Sequence, residues 1–434
     1  LCLVAPGIAA LFAGNLAQAQ VADESPVYGP VAAAPDDAAA ASAVPAGVPP
    51  TLAQLADQAL GDNPQVIASR AALAVAEADL DAARWLRYPS LSAEALAATR
   101  GSSFADQDGL AVNVTLEQPI WAGGAIDSQI DSARALRDAG GESLREARFA
   151  VLTGMIEAWF GVVRSEERAR ALEAGLADHR TLVASIERRV AQEVSPLADL
   201  TLARSRTTQL ELELASVLEA GDNARLRLRE LAGETAVEPV LPDETIFAAV
   251  PPEPIAYDEM AACTPVFGRL RSELASAEAE VRGAKGALWP RLLLQLSQNE
   301  ITGARVALVL RAQTGNGLTR LTAIDRARAR VDQGTALLGA AERELRARLG
   351  NEYIALRSNR AQAEASSYAS AAAAELQESY QRQFVAGRRS WLDVLNAARE
   401  VTTARIGESD AKVNAATSAT RILALSCRWR PAGV

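Results

Sequence analysis

Between Gly109 and Gln118 the chain alternates: Leu110, Val112, Val114 and Leu116 fall on one side, Asn113, Thr115 and Glu117 on the other. That two-residue period is a strand with one apolar face. Ser90 to Thr99 alternates too, with Leu91, Ala93, Ala95 and Ala97 opposite Ser92 and Glu94. A polar loop, Arg100 to Asp108, joins the two. The pattern returns after Pro290, where Leu292, Leu294 and Leu296 alternate with Gln295 and Ser297. Past a short loop around Gly303, Val306, Leu308 and Leu310 alternate with Arg305, Ala307, Val309 and Arg311. The spacing predicts two hairpins, at 90–118 and 291–313, each with strands of membrane-barrel length. Pro119 and the turn from Trp121 to Gly124 are expected to end the first. Charges on the polar faces would be ruinous in a core and suit a water-filled lumen.

Elsewhere the period is helical. A 3,4-spaced seam runs through Ala158, Val162, Ser165, Ala169, Leu172, Leu176, His179, Val183, Ile186 and Val190. It predicts a long helix over 125–190, on the order of 95 Å if unbroken. A turn at Glu193 to Pro196 leads to a return helix over 196–231, with its seam on Leu200, Ala203, Thr207, Leu210, Leu214, Val217, Gly221, Ala224, Leu228 and Leu231. Leu202, Leu212, Leu218 and Leu226 lie off that seam. A second apolar face implies neighbours on both sides, as in a wall of helices. The later pair is expected over 321–383 and 390–428, turning at Phe384 to Ser390, with its return seam interrupted by Glu408.

The plan is written twice. Asn63 to Pro89 and Thr264 to Pro290 share Pro64/Pro265, Arg70/Arg271, Leu73/Leu274, Glu77/Glu278 and Pro89/Pro290 at one offset of 201. Each copy opens with a cap residue before a proline and closes on an aromatic-flanked proline. This duplication divides the chain into a first repeat, 51–231, a connector, 232–263, a second repeat, 264–428, and a tail, 429–434. The proline-rich connector reads as irregular, with one small packed element.

Composition narrows the class. Aromatics make up only 4% of the chain and 49% is hydrophobic, much of it alanine, which favours long, closely approaching helices. A net charge of −10 argues against a nucleic-acid partner. Residues 1–19 have the form of a secretory signal, with a small-x-small pattern at Ala17 to Ala19, followed by a flexible leader over 20–50. Cys2 precedes the apolar run and reads as no lipid anchor. Cys263 and Cys427 stand far apart, too few for a disulfide framework. His179, on the seam, reads as packing. No nucleophile triad, phosphate loop or metal cluster is visible, so no enzyme, cofactor or metal site is expected. No stretch after the signal is apolar enough for a membrane helix, so any membrane crossing falls to strands. Four short strands cannot close a barrel, which needs about eight. They must therefore be pooled between copies.

Taken together, the Asn63-Pro64 and Thr264-Pro265 starts, the Tyr88-Pro89 and Trp289-Pro290 ends, the Leu116 to Gly124 run, and the tips Val194 to Ala203 and Gly387 to Ala397 resemble the TolC family of outer-membrane factors. The resemblance implies a mainly α fold with a small β part. Three chains would pool their strands into a barrel of about twelve, over a helical periplasmic tunnel. It further implies a homotrimer in outer-membrane lipid, docked to a periplasmic adaptor and served by an inner-membrane ABC transporter or proton-driven pump. By position, Val190, Val194, Ser195, Pro196, Phe384, Gly387, Arg388 and Ser390 would face the adaptor. Asp393 would form the acidic gate, with Asn396 at the next acid position. Arg389 would bridge to Asp199 or a neighbouring chain. Glu193 stands where the second tip has Gly387, so the first tip is expected to turn differently. Tyr88, Trp121 and Trp289 would form an interfacial belt. The tips look more like type I protein secretion members than drug-efflux ones. The alternatives are a multidrug efflux component and, in another class, a soluble periplasmic coiled-coil scaffold.

Overall fold

The computed structural model describes residues 44–98, 109–234, 237–299, 303–313 and 319–431. The expected signal segment and the leader as far as residue 43 lie outside the described residues. The first repeat comprises α1 (Pro50–Asp62), α2 (Pro64–Trp85), β1 (Ser90–Ala98), β2 (Gly109–Trp121), α3 (Ala125–Ala191) and α4 (Leu197–Ala232). The connector carries α5 (Thr245–Ala249) and α6 (Glu253–Cys263), two helices where one packed element was expected. The second repeat comprises α7 (Pro265–Gly286), β3 (Arg291–Asn299), β4 (Gly303–Arg311), α8 (Thr319–Val385) and α9 (Trp391–Leu425).

Asn63 opens α2 by accepting the Gln65 N–H on Oδ1 at 2.9 Å, just before Pro64. Thr264 does not cap α7, contrary to expectation. Its Oγ1 donates back to the Met260 carbonyl at 2.6 Å. There Pro265 alone presets the first helical φ.

α3 and α8 run unbroken for 67 residues each, about 100 Å at 1.5 Å per residue. The predicted α3 seam is buried from Ala158 to His179 and again at Ile186. Off-seam Leu212 and Leu226 of α4 stand in the open. α9 is buried on more than one face, at Ala415, Ala416, Ala419, Ile422 and Leu423 among others. It lies antiparallel to α3, and each step along one is matched by a step back along the other. Arg421 meets Glu157, Arg164 meets Asn414, and Arg168 forks onto Asp410 with two 2.7 Å bonds. Further along, Gly175 abuts Thr402.

The main core gathers where the connector crosses the long helices. Met155, Trp159 and Phe160 of α3 pack there with Leu349 of α8, Leu423 of α9 and Met260 of α6. Trp159 donates Nε1–H to the Val240 carbonyl at 3.1 Å, pinning the connector. α9 ends at Leu425, three residues short of the predicted 428. Cys427 then takes a positive φ of 55°. The chain folds back, so that the Trp429 N–H reaches the Leu423 carbonyl and its ring is buried.

That reversal corrects the reading of the cysteines: Cys263 and Cys427 form a disulfide. Their 164-residue separation hid the pairing. The end of α6 and the end of α9 meet only because the second repeat leaves the core and returns to it.

The strands form one antiparallel sheet in the order β1-β2-β3-β4. β2 continues past Pro119, where it was expected to stop. Pro119 itself lies opposite Leu293, and a bulge at Ile120 carries pairing on to Trp121 opposite Leu292.

Candidate membrane sheet and hairpin tips

Register turns the strand alternation into two faces. Leu91 pairs with Leu116, Leu116 with Leu296, and Leu296 with Val306. Ala93 with Val114, Leu294 with Leu308 and Leu292 with Leu310 lie on the same side. The opposite face carries Ser90 against Glu117, Glu117 against Gln295, Ser297 against Arg305, and Arg291 against Arg311. Arg311 also reaches Glu117 at 3.1 Å.

In a water-soluble protein the apolar face would be the covered one. Here Leu91, Val306, Leu308 and Leu310 are 66–72% exposed. β1 and β4 are both edge strands. An exposed apolar face with two open edges is unsatisfied in water and, by itself, in lipid.

At the foot of the sheet the bulge sets Trp121 on the apolar side beside Leu292. Trp121 meets Trp289 edge-on, centroids 6.4 Å apart, and Trp85 stacks obliquely on Tyr88 at 4.9 Å. All four rings are about half exposed or more. The three expected belt residues, Tyr88, Trp121 and Trp289, thus lie at the strand–helix junctions. Trp85 joins them, missed because it reads as the last turn of α2.

At the other end the two helical hairpins share one buried cluster: Leu182, Ile186, Leu200 and Ala203 of the first with Phe384, Val394 and Leu395 of the second. Val190 is partly buried against it. Phe384, expected on the surface, is buried there under the Arg189 guanidinium, 5.2 Å from its ring. One of two successive residues must face inward, and Val385 is left 84% exposed instead. Val194 and Leu197 are also bare. Leu197 and Val385 were not singled out in the sequence, although only one of the Phe384-Val385 pair could face inward. Pro196, Gly387, Arg388, Ser390 and Asn396 are exposed, and Ser195 is half-buried.

The tips turn alike, contrary to expectation. Glu193 adopts φ 55° and Gly387 φ 72°. In both, the next residue's N–H bonds five residues back, Val194 to the Arg189 carbonyl and Arg388 to the Gln383 carbonyl. These are the backbone bonds of a Schellman ending.

Arg389 does not reach Asp199 within the chain. Its guanidinium lies over Tyr380 at 4.0 Å and 3.7 Å from Asp393. The side chain is drawn back onto its own hairpin. Ser390 caps α9 by accepting the Asp393 N–H, and its hydroxyl meets Oδ2 of Asp393 at 2.9 Å. Asp393 and Asp199 each occupy the first turn of a helix, where a carboxylate is favoured by the dipole.

His179 is buried with neither ring nitrogen hydrogen-bonded. Burial lowers its pKa; Asp178 opposes that shift and Arg399 adds to it. Among the described residues no cluster of three metal-binding side chains occurs. No helix among the described residues is long and apolar enough to cross a membrane.

Residues 55–234 match the family model of the outer membrane efflux proteins. The cobalt-zinc-cadmium resistance protein CzcC of Cupriavidus metallidurans is 28% identical over 190 residues, 43% of this chain and 45% of that protein. The chain thus matches about half the length of that relative. The outer-membrane channel OprN superposes with a TM-score of 0.77 at 18% identity, covering 87% of this chain and 90% of the other. CusC does so with a TM-score of 0.75 at 16% identity, covering 86% and 91%. At those identities the likeness establishes the fold. The family match thus covers the first repeat, and across both repeats the chain has the fold of the outer-membrane channels OprN and CusC.

Proposed function

We propose that three copies join their sheets edge to edge into a closed barrel in the outer membrane. Their long helices would form a periplasmic tunnel, the exit duct of a tripartite export machine. The observation carrying this is the four-stranded sheet with an exposed apolar face and two open edges. Pooling satisfies the edges and puts Leu91, Val306, Leu308 and Leu310 against lipid. It leaves Glu117, Arg305 and Arg311 toward water. The bare leucines of α4 and Ile354 of α8 are then available to be covered by neighbouring protomers. The two repeats of each chain would stand side by side along that tube, sharing the sheet at one end and the tip cluster at the other, with the connector packed at mid-height.

The first-half family match and the CzcC relative favour efflux of ions or small solutes as the cargo class. Type I protein secretion is the second reading, carried by the Val194 to Asp199 and Arg388 to Leu395 tip sequences. In either, a periplasmic adaptor docks at the tips, where Val194, Leu197 and Val385 offer apolar contacts. An inner-membrane transporter or pump supplies the energy. Three copies of Asp393 around the axis would tune cation passage.

Purified protein should sediment with outer membranes, run as a heat-labile trimer and conduct in planar bilayers. Asp393→Ala should alter conductance or cation block. A detergent-stable monomer without conductance would reject the proposal. Metal sensitivity of a deletion strain with normal protein export supports efflux; the reverse supports secretion.

A further inference from the structure

The foot of the sheet holds a cleft of about 500 Å³, lined by Arg87, Pro119, Ile120, Trp121, Ile126 and Asp127 among others. Its two charged side chains pair at 2.6 Å, Arg87 Nη2 to Asp127 Oδ1. Both are well exposed, so the pair does not serve to neutralise a buried charge. Gln118 Nε2 donates to the Arg87 carbonyl at 2.9 Å, holding the segment after α2 against β2. Gly123 and Gly124, both at positive φ, bring the first turn of α3 and its Asp127 beside that segment. The bulge supplies Trp121 as an apolar wall. The cleft therefore opens just below the lipid-facing side of the sheet, at the level of the aromatic rings.

We propose that this cleft binds the headgroup of a zwitterionic membrane phospholipid bearing a primary ammonium. The inference rests on the membrane-sheet reading above. One Nη and one Oδ are used between the two side chains; Arg87 keeps further N–H donors and Asp127 a second oxygen. A lone arginine would select any anionic lipid. A pre-formed Arg–Asp pair has no net charge and displays both signs side by side. Its complement is a phosphate next to an N–H-bearing ammonium. The phosphate oxygens accept from Arg87, and the ammonium donates to Asp127. A choline headgroup has no N–H to give Asp127, and a glycerol headgroup has no cation. Trp121 and Ile120 meet the start of the acyl chains.

The test is native mass spectrometry of the assembled protein from micelles containing equal amounts of phosphatidylethanolamine, phosphatidylcholine and phosphatidylglycerol. Phosphatidylethanolamine should be retained about tenfold over each rival, the return of roughly one charge-assisted hydrogen bond. Asp127→Asn should bring the ratio over phosphatidylcholine close to one and turn retention toward phosphatidylglycerol, and Arg87→Gln should lower phosphatidylethanolamine retention to that of phosphatidylcholine, while the heat-labile assembly persists in both. Equal retention of all three lipids by the unaltered protein, or a preference that survives both substitutions, overturns the site. Quenching by bromine-labelled acyl chains, compared between the unaltered protein and Trp121→Phe, separates this from the underlying reading. Quenching that depends on Trp121 without headgroup preference overturns the site alone. No quenching overturns the membrane sheet and the site with it.

Discussion

The bridge between Cys263 and Cys427 makes a sharp prediction, because its 164-residue separation closes most of the second repeat into one loop. Loop-closure entropy for that length comes to about 5 kcal/mol at 25 °C, against the 2–4 kcal/mol that such bridges commonly deliver. Without the bridge, the reversed tail keeps two anchors. Arg428 forks onto Glu259 with two 2.9 Å bonds, but an exposed pair of this kind is worth up to about 1 kcal/mol. Trp429 is buried, which adds about 1.5–3 kcal/mol. The Cys263→Ser/Cys427→Ser protein should therefore fold with its tail docked. Its unfolding free energy should fall by about 2–5 kcal/mol, and its last residues should exchange amide hydrogens faster. Denaturant titration of the detergent-solubilised protein, with and without reductant, measures the first; hydrogen exchange measures the second. Two thiols alkylated stoichiometrically without reductant, or an unchanged denaturation midpoint in the double variant, would refute the reasoning. The bridge also fits a chain that matures in an oxidising compartment, as an outer-membrane route requires.

Glu193 holds a left-handed conformation at φ 55°, which costs an L-residue about 1–2 kcal/mol. Glu193→Gly should stabilise the first tip by a few tenths to about 1 kcal/mol after glycine's own entropy cost, while Gly387→Ala loses about 1 kcal/mol; tip amide exchange reports both. His179, its pKa lowered chiefly by burial, is favoured neutral in the fold. Its contribution is whole above its unfolded pKa of about 6.5 and is lost as pH falls through the folded value, with a slope of at most about 1.4 kcal/mol per pH unit. His179→Phe should flatten stability between pH 7 and 5, as read by thermal melts. At Gly123, with φ 61°, an added Cβ would lie 2.6 Å from the Gly286 carbonyl. Gly123→Ala should split the junction between the repeats and lower the yield of heat-labile trimer.

Most of the fold was legible because it is written in period and in duplicate. The α3 seam from Ala158 to Ile186 and the β2 alternation from Val112 to Glu117 each name a face, and the register places those faces together. Pro119 misled because a proline ends a regular strand; here it stays opposite Leu293, and the bulge at Ile120 lets the pairing resume at Trp121. Thr264 misled because its hydroxyl had two carbonyl and N–H targets within one turn, and the one closing α6 won. The disulfide had no local signature at all. At the tips, sequence position located the turns but not which of Phe384 and Val385 faces inward. Phe384 went in and Val385 out because seven residues from both hairpins compete for one small core. Glu193 was read as a different turn because only glycine is at ease at positive φ. The hydrogen bonds to the Arg189 and Val190 carbonyls hold it there nonetheless.

That shared tip core bears on how such a duct could widen. Separating the two hairpins of one chain would expose Leu182, Ile186, Leu200, Phe384, Val394 and Leu395 together. At about 1.5–3 kcal/mol for each side chain fully exposed, the cost is on the order of 10 kcal/mol, comparable to the whole binding free energy of a micromolar to nanomolar partner. Arg189 over Phe384 adds to the lock, and the fork of Arg168 on Asp410 continues it up the α3–α9 seam. By contrast, Arg389, Ser390 and Asp393 form an exposed knot confined to the second hairpin, so nothing in it binds the two hairpins together. In the proposed trimer the weak seams would therefore be those between chains, while the bare Val194, Leu197 and Val385 stay at the tips, open to the adaptor. On the proposed trimer, a tunnel of three such units would dilate by moving locked hairpin pairs apart, with each pair travelling as one body.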